Sequence, residues 1–570
     1  MDPMLNRSEG DFDKANKRGV SSDYSKYFSD VECVAILPRT TILDSKQVVN
    51  HAFISFANDH GFKVPEDVYR IPNITHAGGY EEAAKFWKKT RVDVNERVFQ
   101  VAKLCLEQHI RKPLAGRGCM TFQEIVESMV ITTSPGYPYN RVVQTKEDAL
   151  YLPIFDVNFR AFYESLTSGH IIPDVMQSTS KWELRKVGKA ARTFMTGGMH
   201  MHIASAMLYK AQQDAFIQSH DSLWSAVGIS QYKGGWDRLY KQFTAVGGEK
   251  PLFISADVSG WDRDVPPILF EAVRDILFRQ LPRSEQTEEN KQRSISIMHL
   301  NVYAPVVLEH GEVVLKFKGQ GSGAFVTIFF NTLMHMLVNF YVFILMMGAV
   351  AFNMTFLELY SYLIRNIWMK DVGDDEAGAI NTREYPFFTV EKYSDGYKHF
   401  GFTMKTVDVS TKLEELNFLS SKWVTRNGMW VSCPDRTKVL CQVAYGAKTN
   451  NVKTTYLRLL SLAQLSWADK ELYELLRTFS SHYKKVYMHE LIIDKEGELT
   501  FREIECCELD NDEIERLHCG RLESFGGDKY KFLEIEEVWI RSATGISQKT
   551  EQKRCQSVRL GSLRKLHSFC

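Results

Sequence analysis

Residues 324–356 contain no Asp, Glu, Lys or Arg. No other feature restricts the fold as strongly, because a stretch this long and apolar must either cross a bilayer or be enclosed by the rest of the protein. Length alone makes it a transmembrane candidate. Yet it opens on a Gly-rich turn and carries Thr327, Asn331, Thr332, His335 and Asn339. Thr327 and Asn331 are four apart and share one helical face, which can meet a ribose while the remainder packs inward. The stretch is expected to be a buried core helix whose polar residues face a substrate; a membrane-anchored scaffold is the rival.

A chain of 570 residues, 44% hydrophobic, 12% aromatic and 25% charged, can enclose such a helix. It is too long for one ordinary core and fits roughly three to five units, or one multi-lobed enzyme. Its 70 basic and 70 acidic residues cancel. That excludes a protein coated in positive charge, but not an enzyme with a basic channel inside a neutral envelope. The cysteines form no CxxC and no zinc-finger spacing; Cys506, Cys507, His518 and Cys519 are the one cluster, and free thiols in a reducing cytosol are expected there. The polar N-terminus lacks the apolar segment of a signal peptide.

Residues 1–30 are expected to be flexible. Residues 549–570 carry Lys549, Lys553, Arg554, Arg559, Arg564 and Lys565 against Glu551, and read as a basic, solvated tail with RNA or anionic lipid as its options. Residues 95–110 have helical periodicity, as do Tyr456, Leu459, Leu460, Ala463 and Trp467. Residues 252–256 and 302–308 read as strands. The Gly-Gly pairs at 197, 234 and 526 read as turns.

Residues 252–256 end on Asp257, and Asp262 follows in Asp257-Val258-Ser259-Gly260-Trp261-Asp262. A carboxylate at a strand end reaches into a cleft, and Gly260 lets the chain turn so that the second acid points the same way. Later, Gly373-Asp374-Asp375 lies between an apolar run at 362–369 and Ala377-Gly378-Ala379-Ile380. That reads as strand, tight turn and strand with the acids at the tip. Each pattern alone is weak, because acids on turns are usually solvated. Together they suit nucleotidyl transfer, which uses two Mg²⁺ ions about 3.5–4 Å apart, each content with a few carboxylates plus phosphates and water. Between them, Gly319-Gln320-Gly321-Ser322-Gly323 forms a tight loop, with Ser322 expected near the start of the helix that carries Thr327 and Asn331.

In this order, Asp257…Asp262, Ser322-Gly323…Thr327…Asn331 and Gly373-Asp374-Asp375 resemble the palm motifs of the RNA-dependent RNA polymerases of positive-strand RNA viruses, of picornavirus-like, sobemovirus-like or astrovirus-like type. The likeness extends over about residues 130–425. Thr133-Ser134-Pro135-Gly136-Tyr137-Pro138-Tyr139 is similar to a template-entry loop. Lys181-Trp182-Glu183-Leu184-Arg185-Lys186…Lys189…Arg192 is similar to the basic fingers motif over the incoming triphosphate. Ser225-Ala226-Val227-Gly228 resembles a segment ahead of the first palm motif, Phe400-Gly401-Phe402-Thr403-Met404 the fourth palm motif, and Phe418-Leu419-Ser420-Ser421 the primer-grip hairpin. Two departures stand out. Lys370-Asp371-Val372 replaces a more apolar run, which leaves the first hairpin strand partly exposed or its register in doubt. The family's fourth-motif lysine has two candidates, Lys405 and Lys412, and neither is assigned.

The resemblance implies an α+β right hand: fingers over 31–250, an antiparallel palm sheet flanked by helices over 251–425, and a helical thumb over 426–548. It implies that Asp257, Asp374 and Asp375 hold Mg²⁺, with Mn²⁺ as a substitute. Asp262, Ser322 and Asn331 would read the ribose 2′-hydroxyl, with Thr327 supporting them and Gly323 part of the same ribose and nucleotide site. Lys181, Arg185 and Arg192 would hold the triphosphate, and Thr133, Ser134 and Gly136 would line the template entry. The implied partners are RNA template and primer and ribonucleoside triphosphates. A protein primer, other viral replication proteins and peripheral membrane association are compatible with it. The implied location is the host cell cytoplasm, in membrane-associated replication complexes.

Overall fold

The computed structural model of the chain describes residues 19–37, 48–248, 251–447, 451–487 and 509–519. It is a mixture of helices and strands in which the apolar stretch forms the central helix, Thr327–Met347. This helix is long and apolar enough to cross a membrane, but protein surrounds it. It packs on the helices Glu96–Leu114, Pro267–Gln280 and Val390–Lys398 and on the strand Ile367–Val372. Phe340 stacks on Trp224 with centroids 4.3 Å apart. A Cβ at Gly396 would come within 2.8 Å of Val342, so only glycine lets the neighbouring helix approach this closely. The central helix stops at Gly348, whose φ of 57° breaks the helical run. The rest of the apolar stretch is a short turn of helix, Ala349–Phe352, and a new start at Phe356–Asn366, set by a Thr355/Glu358 capping box. The stretch is therefore not one helix.

Beside the central helix lies a four-stranded antiparallel sheet in the order Met404–Ser410, Pro251–Val258, Asp375–Asn381, Ile367–Val372. The strand expected at 252–256 is its Pro251–Val258, and alternation sorts its side chains. Ile254, Ala256 and Val258 join the core around the central helix. Phe253 packs on the other side with Trp236, Leu239 and Phe243 of the helix Gly235–Gly247. The sheet is thus covered on both faces.

The expectation for Lys370 and Asp371 is corrected: both are fully buried on the edge strand. Residues 220–228 lie along that edge, with a parallel bridge from Ser225 to Asp371, and cover what would be an open edge. Lys370 Nζ donates to the carbonyls of His220, Leu223 and Ser225 at 2.5, 2.8 and 3.3 Å.

A second, five-stranded sheet runs Cys33–Ile36, Glu312–Leu315, Pro305–Val307, Met176–Ser180, Thr193–Thr196. It corrects two expectations. Residues 19–30 are packed rather than flexible: Ser22–Tyr27 is a helix, and Tyr24 and Phe28 share a core with Tyr80, Phe86 and Trp87. Residues 1–18 lie outside the described residues. The strand expected from 302 begins only at Pro305, because the helix Glu288–Val302 extends to that point and the residue before a proline favours extended backbone.

The helix expected at 95–110 is Glu96–Leu114, and the one begun by Tyr456 is Val452–Leu465, with Trp467 two residues beyond its end. The latter belongs to a bundle with Arg436–Tyr445, Lys470–Val486 and Asn511–Cys519. Phe53 and Ala57, from His51–Asp59, are buried in this bundle, so the N-terminal part of the chain reaches across to it. The tail at 549–570, Cys506, Cys507 and Gly526 lie outside the described residues. His518 is a core residue: it stacks on Trp467 at 4.8 Å and bonds the Gln464 carbonyl at 2.9 Å.

Truncating Phe340 to Ala should cost about 3–5 kcal/mol, read as a lower urea midpoint with unchanged slope. Leu357→Ala, at a side chain 65% exposed, should stay within about 0.5 kcal/mol.

Candidate active site

Two strands of the four-stranded sheet bring the acids together. In the antiparallel register Asp375 pairs directly with Asp257. Gly373 and Asp374 make the turn that enters the Asp375 strand, and Gly373 has a φ of 64° that suits glycine. Asp374 stands exposed at the tip and Asp375 is half-buried. The Asp374 carboxyl is raised above its ordinary range by the protein packed around it, then by Asp262 and Asp257. Asp375 is pushed up to about 6 by burial, then by Asp374 and Asp257. Carboxylates this crowded resist sharing their negative charge.

A lysine of the chain answers them directly. The register of Met404–Ser410 slips between Met404 and Thr406, so Lys405 is the extra residue of a bulge, and bulges re-aim side chains. Lys405 Nζ meets Asp257 Oδ2. Lys412, the other candidate lysine, is 3.9 Å from Glu415 instead.

Asp262 sits on a single helical turn, Trp261–Asp264, entered through the left-handed Gly260. Its carboxylate accepts Ser322 Oγ on one oxygen and Asn331 Nδ2, at 2.6 Å, on the other. The loop that carries Ser322 is fastened to the same turn: Gln320 N donates to the Asp262 carbonyl at 2.6 Å, and a Cβ at Gly319 would lie 2.7 Å from that carbonyl. The central helix begins at Thr327, five positions beyond Ser322, so Ser322 belongs to the loop and not to the helix start. Thr327 turns back to donate to the carbonyls of Gly321 and Ala324, both at 2.8 Å. It braces the loop. Gly323 N bonds the Met195 carbonyl at 3.0 Å, which ties the loop to the five-stranded sheet. Asn331 Oδ1 is buried with no hydrogen-bond partner.

Thr332, His335 and Asn339, on the same helix, do not face a substrate. All three are fully buried and bond the acidic hairpin. Thr332 Oγ accepts Gly373 N–H at 3.0 Å, His335 Nδ1 bonds the Gly373 carbonyl at 2.9 Å, and Asn339 Nδ2 reaches Asp371 and Glu376 at 3.0–3.2 Å.

The remaining expected residues form two groups. Ser134 and Gly136 line a cavity of about 510 Å³ together with Gln177, Thr196, His202 and Gly323. Gly136 approaches Gly197 so closely that a Cβ would lie 2.5 Å from its carbonyl oxygen. Thr133 is beside this cavity, its hydroxyl turned to the Val130 carbonyl at 3.1 Å. Lys181 and Arg192 flank the ends of the hairpin Met176–Ser180/Thr193–Thr196, where Glu183 pairs with both, at 3.1 and 3.4 Å. Arg185 lies on a two-stranded ribbon with Tyr69–Arg70. Lys181, Arg185 and Arg192 make no bond to the acids among the described residues.

A family model described as viral RNA-dependent RNA polymerase matches residues 74–484. The chain belongs to this family. It is 26% identical over 281 residues to the genome polyprotein of Bean yellow mosaic virus, covering 49% of the chain and 8% of that protein. It is 30% identical over 205 residues to that of Sweet potato mild mottle virus (isolate Salazar), covering 35% and 5%. With the genome polyprotein of Brome streak virus (strain 11-Cal) it shares 23% over 442 residues, covering 74% and 13%. The chain therefore spans only a small part of the length of these relatives.

Polymerases of this family use divalent metals, and the all-oxygen set of Asp257, Asp374 and Asp375 suits a hard divalent cation. Such an ion would offset both the burial and the neighbouring charges that raise Asp374 and Asp375. The residues that sequence reasoning missed lie beneath this set: Thr332 and His335, and the partners Asp371, Glu376, Tyr393 and Tyr397. Thr332 and His335 were visible as polar residues inside an apolar helix but were expected to face a substrate, and Asp371, Glu376, Tyr393 and Tyr397 lie on other elements with no such signal.

Asp375→Asn should stabilise the metal-free protein by about 1 kcal/mol, because it removes one of the crowded charges. The readout is a higher melting temperature in EDTA; a lower one would show that the acids do not strain the fold.

Proposed function

We propose that this chain is the RNA-dependent RNA polymerase of a positive-strand RNA virus, transferring ribonucleoside monophosphates to an RNA 3′ end under template direction. The observation that carries the reading is the junction of two sets of groups. Asp375 stands opposite Asp257 across two paired strands, with Asp374 on the adjoining turn, and Asp262, held by Ser322 and Asn331, adds a further carboxylate whose charge raises Asp374.

In this reading the four-stranded sheet and its helices are the palm, over 251–425. The five-stranded sheet and its surroundings within 31–250 form the fingers, and the C-terminal helices within 426–548 the thumb. Asp257, Asp374 and Asp375 hold two Mg²⁺ ions. Two Mg²⁺ ions bound there would lower the charge barrier to attack by the primer 3′-hydroxyl on the α-phosphorus and to departure of pyrophosphate. The chain's own residues position the reactants, which supplies much of the acceleration. Asn331 Oδ1, buried without a partner, accepts the ribose 2′-hydroxyl; Asp262 fixes the Asn331 amide, and Ser322 holds Asp262. Lys181, Arg185 and Arg192 clamp the triphosphate, with Arg suited to bidentate contact; Glu183 holds Lys181 and Arg192 until phosphate oxygens replace it. Lys405 is the fourth-motif lysine and stands where it can give a proton toward the leaving pyrophosphate. The cavity beside Thr133, Ser134 and Gly136 admits template, read by base pairing while the protein grips backbone and shape. This role places the protein in the host cytoplasm.

With a primed RNA template and Mg²⁺, extension is expected with NTPs and not with dNTPs, and Asp374→Ala should lower it at least about 10³-fold. Asp262→Ala and Asn331→Ala should reduce the preference for NTP over dNTP by about 10–100-fold. Extension mainly with dNTPs in the wild type would overturn the ribose-sensing assignment. Mg²⁺-dependent extension retained by Asp374→Ala would overturn the metal site.

A further inference from the structure

The groups buried beneath the acidic hairpin take no part in the chemistry above, and they converge on one residue. Gly373 is fixed on both sides. Its N–H donates to Thr332 Oγ at 3.0 Å, and its carbonyl accepts from His335 Nδ1 at 2.9 Å. These two bonds pin the peptide before Gly373 and the peptide that leads into Asp374. Thr332 and His335 are three apart on the central helix and fully buried. One residue N-terminal to Thr332, Asn331 holds Asp262, and the His335 ring lies 4.7 Å from that of Trp261, next to Asp262. One helical face therefore sets the hairpin and the Asp262 turn together.

His335 is itself anchored. Its Nε2 is 3.1 Å from Glu376 Oε2 and 2.8 Å from the Tyr397 hydroxyl. Tyr393 donates to Asn339 Oδ1 at 2.6 Å and to Glu376 Oε1 at 2.7 Å. Burial opposes charge on His335, but Asp371 and Glu376 outweigh it and raise its pKa; Nδ1 faces the Gly373 carbonyl, which can only accept, so Nδ1 carries a proton and donates to it. Ligand atoms of His335, Asp371 and Glu376 lie within 4.8 Å of one another. The Asn339 amide already joins the two carboxylates, and the cluster is closed by hydrogen bonds as an anchor rather than open as an ion site.

We propose that Thr332 and His335 are positioning residues that clamp the Gly373 turn, presetting the Asp374 carboxylate toward Asp257 before a divalent ion arrives. The proposal rests on the reading of Asp374 as a metal ligand. A glycine turn left free samples many conformations, and ordering it at the moment of binding weakens affinity. With the clamp, folding has already ordered the turn. Partners behind metal ligands typically contribute about 10–100-fold in affinity when they fix ligand orientation.

The test is Mn²⁺ titration of the full chain by electron paramagnetic resonance, which needs no turnover. Thr332→Val keeps the side-chain shape and removes the acceptor; Thr332→Ser keeps it. His335→Asn retains an amide N–H near the Nδ1 position, whereas His335→Gln places it nearer Nε2. The expected result is that Thr332→Val and His335→Gln weaken the Asp374-dependent Mn²⁺ site about tenfold, and that the Ser and Asn variants bind nearly as the wild type does. Thr332→Val alone decides the matter if the histidine variants do not fold. Wild-type Mn²⁺ affinity in Thr332→Val, with only its melting temperature lowered, would overturn the clamp and leave a structural role. Mn²⁺ binding that Asp374→Ala fails to weaken would instead overturn the metal-site reading.

Discussion

The burial of the helix Thr327–Met347 is the constraint on which the rest of the structure depends. A helix apolar on all sides has no stable position at a surface, and here three helices and a strand enclose it. Enclosure imposes a second condition. Its polar side chains cannot be left without partners, because an unbonded polar group in a dry core is costly. Asn331 answers to Asp262, Thr332 and His335 to Gly373, and Asn339 to Asp371 and Glu376. The same bonds that make the helix tolerable inside the protein hold the two acidic loops in register with each other.

The acidic site reverses the usual logic of a fold. Asp257, Asp374 and Asp375 are brought together although their charges repel, and Asp375 is driven up to about 6 by burial first and then by Asp374 and Asp257. Lys405, thrown out of the strand by its bulge, is the cation the chain sets against Asp257. Groups kept in an unfavourable state by their surroundings are characteristic of a functional site. Beneath it lies the opposite arrangement: His335, Glu376, Asn339, Tyr393 and Tyr397 satisfy one another.

What was legible in the sequence was short-range. Asp257 at a strand end, the Gly373-Asp374-Asp375 turn and the Thr327/Asn331 spacing follow from local periodicity and turn chemistry, and the structure forms each of these elements. What was not legible depended on distant chain. Lys370 and Asp371 look solvent-facing until residues 220–228, about 150 positions earlier, cover their strand. Residues 19–30 look flexible until a sheet built from 305–315 gives Tyr24 and Phe28 something to pack on. Thr332, His335 and Asn339 were visible as polar residues, but their partners Gly373, Asp371 and Glu376 lie 32–41 positions away, so the side they face could not be read from spacing. The break at Gly348 divides an apolar run that hydropathy alone leaves whole.

Asp257, Asp374 and Asp375 are proposed to form one divalent-metal site beside the ribose-sensing group of Asp262, Ser322 and Asn331. Anomalous diffraction from crystals grown with Mn²⁺ and a non-hydrolysable ribonucleoside triphosphate tests it most directly. Two peaks about 3.5–4 Å apart are expected, within bonding distance of Asp257 and Asp374, with the ribose 2′-hydroxyl at Asn331. A peak enclosed by His335, Asp371 and Glu376, or none near Asp374, would contradict it.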